Sequence, residues 1–206
     1  MSDAARPAPP LDPVVVRRAT PRQLAALLNA GTGVAAAPPA SAAEAEAPTA
    51  LPPPTPVLPL PARLARGDAV PMLLFSVGGE WFLAPLSDVR EAVDAPAVVP
   101  VPRMQGATRG VLALRGTLLP VRDPAGTLGV APATGGAALV VHAERPQALL
   151  VDDVLDAVPV AARDLRPVPG AMRADDLLLG AAPVAGRLAG VLDLPPFLLA
   201  LDLSDR

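Results

Sequence analysis

The chain contains no cysteine, lysine, isoleucine or tyrosine, and it holds one histidine and one tryptophan. Each gap removes a class of chemistry. Without cysteine there is no disulfide framework, no thiol nucleophile and no thiolate metal site. Without lysine there can be no G-x-x-x-x-G-K-[ST] phosphate loop. Aromatic residues make up only 2% of the sequence, too few for a base-stacking platform. All 17 basic residues are arginines, scattered through a chain of net charge −3, so no basic patch marks a nucleic-acid partner. Apolar runs are short as well. "LLLGAAPVAG" stops at Arg187, well before the roughly 18 residues that a membrane span needs. "MSDAARPAPPLDP" lacks the basic and then apolar regions of a secretory signal. A cytoplasmic protein without direct membrane insertion is expected.

Proline and alanine are abundant instead. About half of the 29 prolines fall in residues 1–67, where missing backbone donors and fixed φ angles favour a semi-stiff, disordered arm. Within it, "TPRQLAALLNAG" offers Thr20 as N-cap, Pro21 at the first helical position and Gly31 as a stop. A short helix over 21–30 is therefore expected, with Leu24, Leu27 and Leu28 on one face. Alone it is too short to be stable, and it reads either as a docking helix or as a fraying segment.

From Val70 the texture changes. Short apolar runs separated by turn signals follow one another: "PMLLFSV", Gly78-Gly79, "EWFLAP", "GVLAL", Arg115-Gly116, "TLLPV", "AALVVHA", "QALLV", "LLLGAAPV", Ala185-Gly186 and "RLAGVLDL". This spacing predicts a mainly β domain over 68–206, a barrel or a sandwich. Helical pattern is confined to short pieces near Leu86 to Val93, where a strand fits equally, and Pro196 to Leu203.

The domain also repeats itself. "DVREAV" at Asp88 to Val93 returns as "DVLDAV" at Asp153 to Val158, and "PVP" at Pro100 to Pro102 returns at Pro167 to Pro169. Gly110 precedes Asp123 by the same interval as Gly180 precedes Asp193. One order and a nearly constant offset imply a duplication. Two similar subdomains are expected, packed together with a groove at their junction.

Catalytic signals are sparse. His142 lies in an apolar run and reads as a strand residue rather than a base, although a small hydrolase or isomerase using it stays open as a rival. Ser76 and Ser87 lack the G-x-S-x-G context. The pairs Asp152-Asp153 and Asp175-Asp176 read as solvated turn charges, since a cation site needs several converging oxygens. Asp123 and Asp193 read as groups that bond nearby backbone at a turn. No cofactor, metal or catalytic residue is expected.

The hairpin, the segment "DVREAV", then "PVP", then "GVLALRGTLLPVRD", together with "LLVDDVLDAV" and "LAGVLDL" later in the chain, resembles the CheW-like domain of bacterial chemosensory adaptors. The resemblance implies two tandem five-stranded SH3-like β-barrels with no catalytic activity. It also implies two partners: the regulatory domain of a CheA-type histidine kinase and the cytoplasmic tip of a methyl-accepting chemotaxis receptor. The partner-contacting arginine of that pattern falls on Arg115, flanked by Leu114 and Gly116. Val89 and Glu91 match other contact positions, Gly110 matches the glycine that opens the hairpin and is counted with the partner-binding residues, and Val151, Asp152 and Val154 occupy the related segment that would face the groove. Two positions depart from the pattern: Ala113 stands where the family has Asn, and Pro124 where it has Leu. The proline-rich leader is similar in composition to that of ParP-like adaptors that place chemoreceptor arrays at cell poles.

Overall fold

A computed structural model describes residues 58–102, 106–141, 145–168 and 177–204. The expected helix over 21–30, His142 and Asp175-Asp176 lie outside the described residues. A short helix, α1 (Leu60–Ala65), leads into β1 (Val70–Val77) and β2 (Glu80–Pro85), followed by a 3-10 turn at Leu86–Asp88. Next come β3 (Val89–Asp94), β4 (Val98–Val99), β5 (Thr108–Leu114), β6 (Thr117–Arg122) and the single-turn helix α2 (Ala125–Leu128). The second part contains β7 (Ala137–Val141), β8 (Gln147–Val151), β9 (Asp153–Val160), β10 (Leu178–Val184), β11 (Arg187–Leu192) and the closing helix α3 (Leu194–Ser204). The segment from Leu86 that could be helix or strand is both in turn, a 3-10 turn and then a strand.

The strands form two sheets, ordered β10-β11-β2-β1-β9 and β3-β7-β8-β6-β5-β4. The duplication is visible in them, but not as two consecutive halves. The first sheet joins the opening hairpin of the first repeat to the last three strands of the second repeat. The second sheet does the reverse. With β1 matched to β7, β2 to β8, β3 to β9, β5 to β10 and β6 to β11, the two orders coincide. So do the irregularities. β1 pairs with β9 through a bulge that passes from Leu74↔Asp156 to Phe75↔Val154, and β7 pairs with β3 through one that passes from Glu91↔Val140 to Val89↔Val141. A second matched pair of bulges lies at Arg109, between Thr108↔Arg122 and Gly110↔Val121, and at Leu179, between Leu178↔Leu192 and Gly180↔Val191. The two similar units expected from the repeat are both present, and they share the chain by exchanging hairpins, each sheet combining the opening hairpin of one repeat with the later strands of the other.

Both sheets curl. In the second, β3 and β4 sit at opposite edges, yet only residues 95–97 connect them. Across a flat sheet those edges would lie about 24 Å apart at 4.8 Å per strand, whereas four residue steps reach at most about 14 Å. The edges must meet, which closes the sheet into a barrel. In the first sheet an isolated bridge between Arg166 and Ala181 links the stretch after β9 to β10, the opposite edge.

This arrangement explains the uninterrupted apolar runs. β1 is buried on both faces: Met72 and Leu74 join the first barrel's own cluster with Leu83, Val184 and Val191, while Leu73, Phe75 and Val77 enter a cluster shared between the barrels. β7 does the same, with Ala138 and Val140 in the second barrel's cluster and Leu139 and Val141 in the shared one. Period-two alternation survives, but both faces are apolar. Phe75 and Phe82 pack with ring centroids 6.1 Å apart, and α3 adds Phe197 and Leu201, both fully buried. Truncating such a phenylalanine to alanine costs about 3–5 kcal/mol.

The last residues of the segment expected to be a free arm belong to this domain. Leu60 and Leu64 of α1 are 0% and 4% exposed and sit in the first barrel's cluster. The boundary expected at residue 67 is therefore too late. Leucines four apart in a helix share a face, and this face has a core to cover.

Candidate interaction surface

Arg115 and Gly116 form the two-residue tip between β5 and β6, with Leu114 paired to Thr117 across it. Both have positive φ, 48° and 78°, as a type I′ hairpin turn requires. The turn aims Arg115 outward, with 72% of its side chain exposed. Its Nη2 donates to Glu91 Oε1 at 2.9 Å. Glu91 comes from β3, at the other edge of the sheet, so closure of the barrel brings together two residues that the sequence holds far apart. Between Val89 and Glu91, on the bulge, stands half-buried Arg90. Burial first, and then the nearby Arg115 guanidinium, lower the Arg90 pKa, with Glu91 opposing. Two guanidinium groups around one carboxylate leave the tip with surplus positive charge, a setting that attracts carboxylates.

Beside the tip the outer face of β4, β5 and β6 is apolar. Val111 pairs with Val99 on one side and Pro120 on the other, and Ala113 pairs with Leu118. Val99 is 59% and Leu118 69% exposed. Neither was among the expected contact residues. Strict alternation along β5 and β6 was the signal for Leu118: Leu112 and Leu119 point inward, so their neighbours Ala113 and Leu118 point out. Arg90 could not be found that way, because it owes its position to a bulge.

The remaining expected contact residues separate by role. Gly110 is a packing residue: a Cβ there would lie 2.3 Å from the Val99 carbonyl oxygen, so glycine is what lets β4 lie against β5. Val89 and Val151 are 3% and 0% exposed and belong to the shared core, out of reach of a docking partner. Val154 is half-buried, opposite Phe75. Asp152 holds two turns together, accepting from the Gly79 N–H at 2.9 Å and the Thr134 N–H at 2.6 Å. Burial alone would raise its pKa, but the N–H groups of Thr134 and Gly79, aided by the Thr134 side chain and the Gly78 N–H, bring it below the ordinary carboxylate value. It is thus bound into the fold rather than a freely solvated turn charge.

An open cleft of about 590 Å³ lies between α2, α3 and the start of β5, with Arg109, Asp123, Thr127, Leu177, Ala200 and Leu203 among its lining. None of the residues expected to face a groove lines it. The polar pair at its wall is satisfied internally, since Arg109 Nε and Nη2 donate to Asp123 at 3.0 and 2.7 Å. Behind that wall, Arg122 is 5% exposed and donates to Asp202 at 2.7 Å and to the Leu201 carbonyl, fastening α3 to β6. Among the described residues no three His, Cys, Asp or Glu side chains cluster to hold a metal, and no helix is long and apolar enough to cross a membrane.

Two interleaved β-barrels around a common core, with an arginine-tipped hairpin and an apolar strand face on the outside, define a duplicated β-barrel protein. The chain belongs to the CheW-like domain family, whose pattern it matches over residues 71–201. It is 32% identical over 102 residues to a chemotaxis protein CheW of Rhizobium meliloti, covering 48% of this chain and 66% of that protein. It is 38% identical over 55 residues to the protein PilI of Pseudomonas aeruginosa, covering 27% of this chain and 31% of that one. Among solved structures, the scaffolding protein TtCheW of Thermoanaerobacter tengcongensis shares the fold at a TM-score of 0.53 and 21% identity, over 60% of this chain and 88% of that one.

Proposed function

We propose that this protein is a non-catalytic adaptor that couples methyl-accepting chemotaxis receptors to the regulatory domain of a CheA-type histidine kinase, in the cytoplasm at receptor arrays. The observation that carries this reading is the tip itself. Arg115 is presented on a rigid turn, 72% exposed and paired to Glu91, next to the exposed aliphatic side chains of Val99 and Leu118. A pre-organised guanidinium can form two-point hydrogen bonds to a carboxylate or to helix-end carbonyls with little loss of freedom, and the adjacent apolar strands supply area to bury. The Pro/Ala-rich leader favours a second, related reading, in which the adaptor recruits the kinase while positioning arrays as ParP-like proteins do.

The test uses Arg115→Gly. Glycine tolerates the positive φ better than arginine does, so the turn is kept while the guanidinium is removed. In titrations against a purified CheA-type regulatory domain and a receptor-tip fragment, affinity for at least one should fall roughly tenfold or more, the size expected from losing a charge-assisted contact. Unchanged affinity for both would remove Arg115 from the interface.

A further inference from the structure

Helix α1 is held on the first barrel by a small set of side-chain contacts. It has six residues, begins after Pro59 and lacks a side-chain cap, so it has too few hydrogen bonds to persist by itself. Its apolar attachment is Leu60 and Leu64, seated among Val70, Met72, Leu74 and Leu83. Its polar attachment is Arg63, which donates from Nη2 to both carboxylate oxygens of Asp88 at 3.0 Å and from Nη1 to Ser87. The Leu60 N–H also lies near the Asp193 carboxylate and favours its ionised form. One guanidinium thus faces two carboxylates that are only 7% and 8% exposed. Arg63 Nε and Asp193 Oδ1 are buried with no hydrogen-bond partner, which weakens the polar half of the attachment.

The connection to β1 is also loose. Gly67 has φ +87°, with nothing within 4 Å of where a Cβ would be, and Asp68 and Ala69 after it are exposed. None of the five strands beneath takes a ladder hydrogen bond from α1, since each pairs within its own sheet. The helix can leave without breaking a strand pair.

We propose that α1 is a strap that opens independently of the barrel, and that the groove under it is a docking site for a short basic amphipathic helix. The strap shows which chemistry the groove takes: leucines at i and i+4 for the apolar floor, and an arginine at i+3 for the acidic rim of Asp88 and Asp193. A partner helix with that pattern competes with α1 for one place. Because α1 directly follows the proline-rich leader, anything that binds and pulls the leader also acts on the groove.

Native-state hydrogen exchange on the full chain tests the strap. Amides of residues 60–66 should exchange roughly tenfold or more faster than those of β1 and β9, the behaviour of a local rather than a global opening. Exchange of α1 and β1 as one unit overturns the proposal. Arg63→Ala should accelerate residues 60–66 further and leave β1 unchanged. A synthetic peptide of residues 58–69 should then bind that full-length variant saturably and shift the emission of Trp81, the sole tryptophan, which packs against the same cluster. No shift at saturating peptide would mean that the groove does not accept such a helix in trans, and would sink the docking half.

Discussion

Asp123 and Asp193 stand at equivalent points of the repeat, each just past the second strand of a hairpin and each buried, at 4% and 8% exposure, but only Asp123 faces an arginine from its own hairpin. Arg109, on the bulge of β5, donates twice to it, and the Ala125 N–H supplies a third bond at 2.9 Å. In the second repeat the bulge position is Leu179. Asp193 instead lies near Arg63 of α1, whose guanidinium is hydrogen-bonded to Asp88. Burial first, and then the charge of Asp88, raise the Asp193 pKa above the ordinary carboxylate value, with Arg63 and the Leu60 N–H opposing.

Opposite outcomes follow for the same substitution. Asp123→Asn should cost about 1–3 kcal/mol in urea unfolding at neutral pH, because it breaks a charge-assisted pair on a buried carboxylate. Asp193→Asn should leave stability unchanged or increased. The sign of the pH dependence follows from linkage: a carboxyl group with a raised folded pKa binds its proton more tightly when folded, so its ionised form costs stability above that pKa. The cost disappears as pH falls through it. The difference between wild type and Asp193→Asn should therefore narrow on acidification. A gap that widens, or a strong loss in Asp193→Asn at neutral pH, contradicts this account.

Ala185 occupies the place in the second hairpin that Arg115 has in the first, and both have φ of 48°. A left-handed conformation costs a non-glycine residue about 1–2 kcal/mol, part of which glycine gives back through the greater freedom of its unfolded chain. Ala185→Gly should accordingly stabilise the protein by about 0.5 kcal/mol. At Arg115 the same gain is set against an ion pair too exposed to contribute more than about 1 kcal/mol, so Arg115→Gly should change the thermal midpoint little. A large fall there would mean that the Glu91 contact holds the barrel closed, and binding data on that variant would then need a folding control.

Gly110 stands among the expected partner-binding residues as the glycine that opens the hairpin, and a variant there should weaken partner binding through the fold rather than by direct contact. Gly110→Ala would drive a methyl group into the Val99 carbonyl, which nothing flexible can yield to. Expected is a loss of at least about 2 kcal/mol together with faster hydrogen exchange in β4 and β5. A variant that binds poorly but unfolds like wild type would instead place Gly110 at the partner surface itself.

Much of the architecture was legible in the sequence. The strands β7 and β8 follow from their bounded apolar runs, and the turns from Gly78-Gly79 and Arg115-Gly116. The repeat follows from "DVREAV" against "DVLDAV". What the pattern could not tell is which strand lies beside which. Alternation fixes faces, not neighbours, and β1 is apolar on both faces, so nothing local says that Phe75 pairs with Val154 of the other repeat. The contact of Arg115 with Glu91 was hidden for the same reason, since it exists only because the sheet closes. Asp152 was misread because a turn aspartate that binds two distant N–H groups looks, in sequence, like one that binds water.

Helix α1 was missed because "LPARLARG" has only two large apolar residues and sits at the end of a proline-rich tract, where composition argues for a segment that buries little. A pair of truncations measures what composition concealed. Removing residues 1–57 and removing residues 1–66 differ only by the segment that carries Leu60, Arg63 and Leu64. The longer deletion exposes the apolar mouth of the first barrel and leaves Asp88 without its guanidinium, with Asp193 beside it. Two lost leucine contacts and an unpaired buried charge together should lower stability by about 3–5 kcal/mol relative to the shorter deletion. For a domain of this size that is a fall of roughly 10 °C or more in the thermal midpoint. Equal midpoints for the two truncations would show that α1 contributes no net stability, and the strap would then be open most of the time in solution.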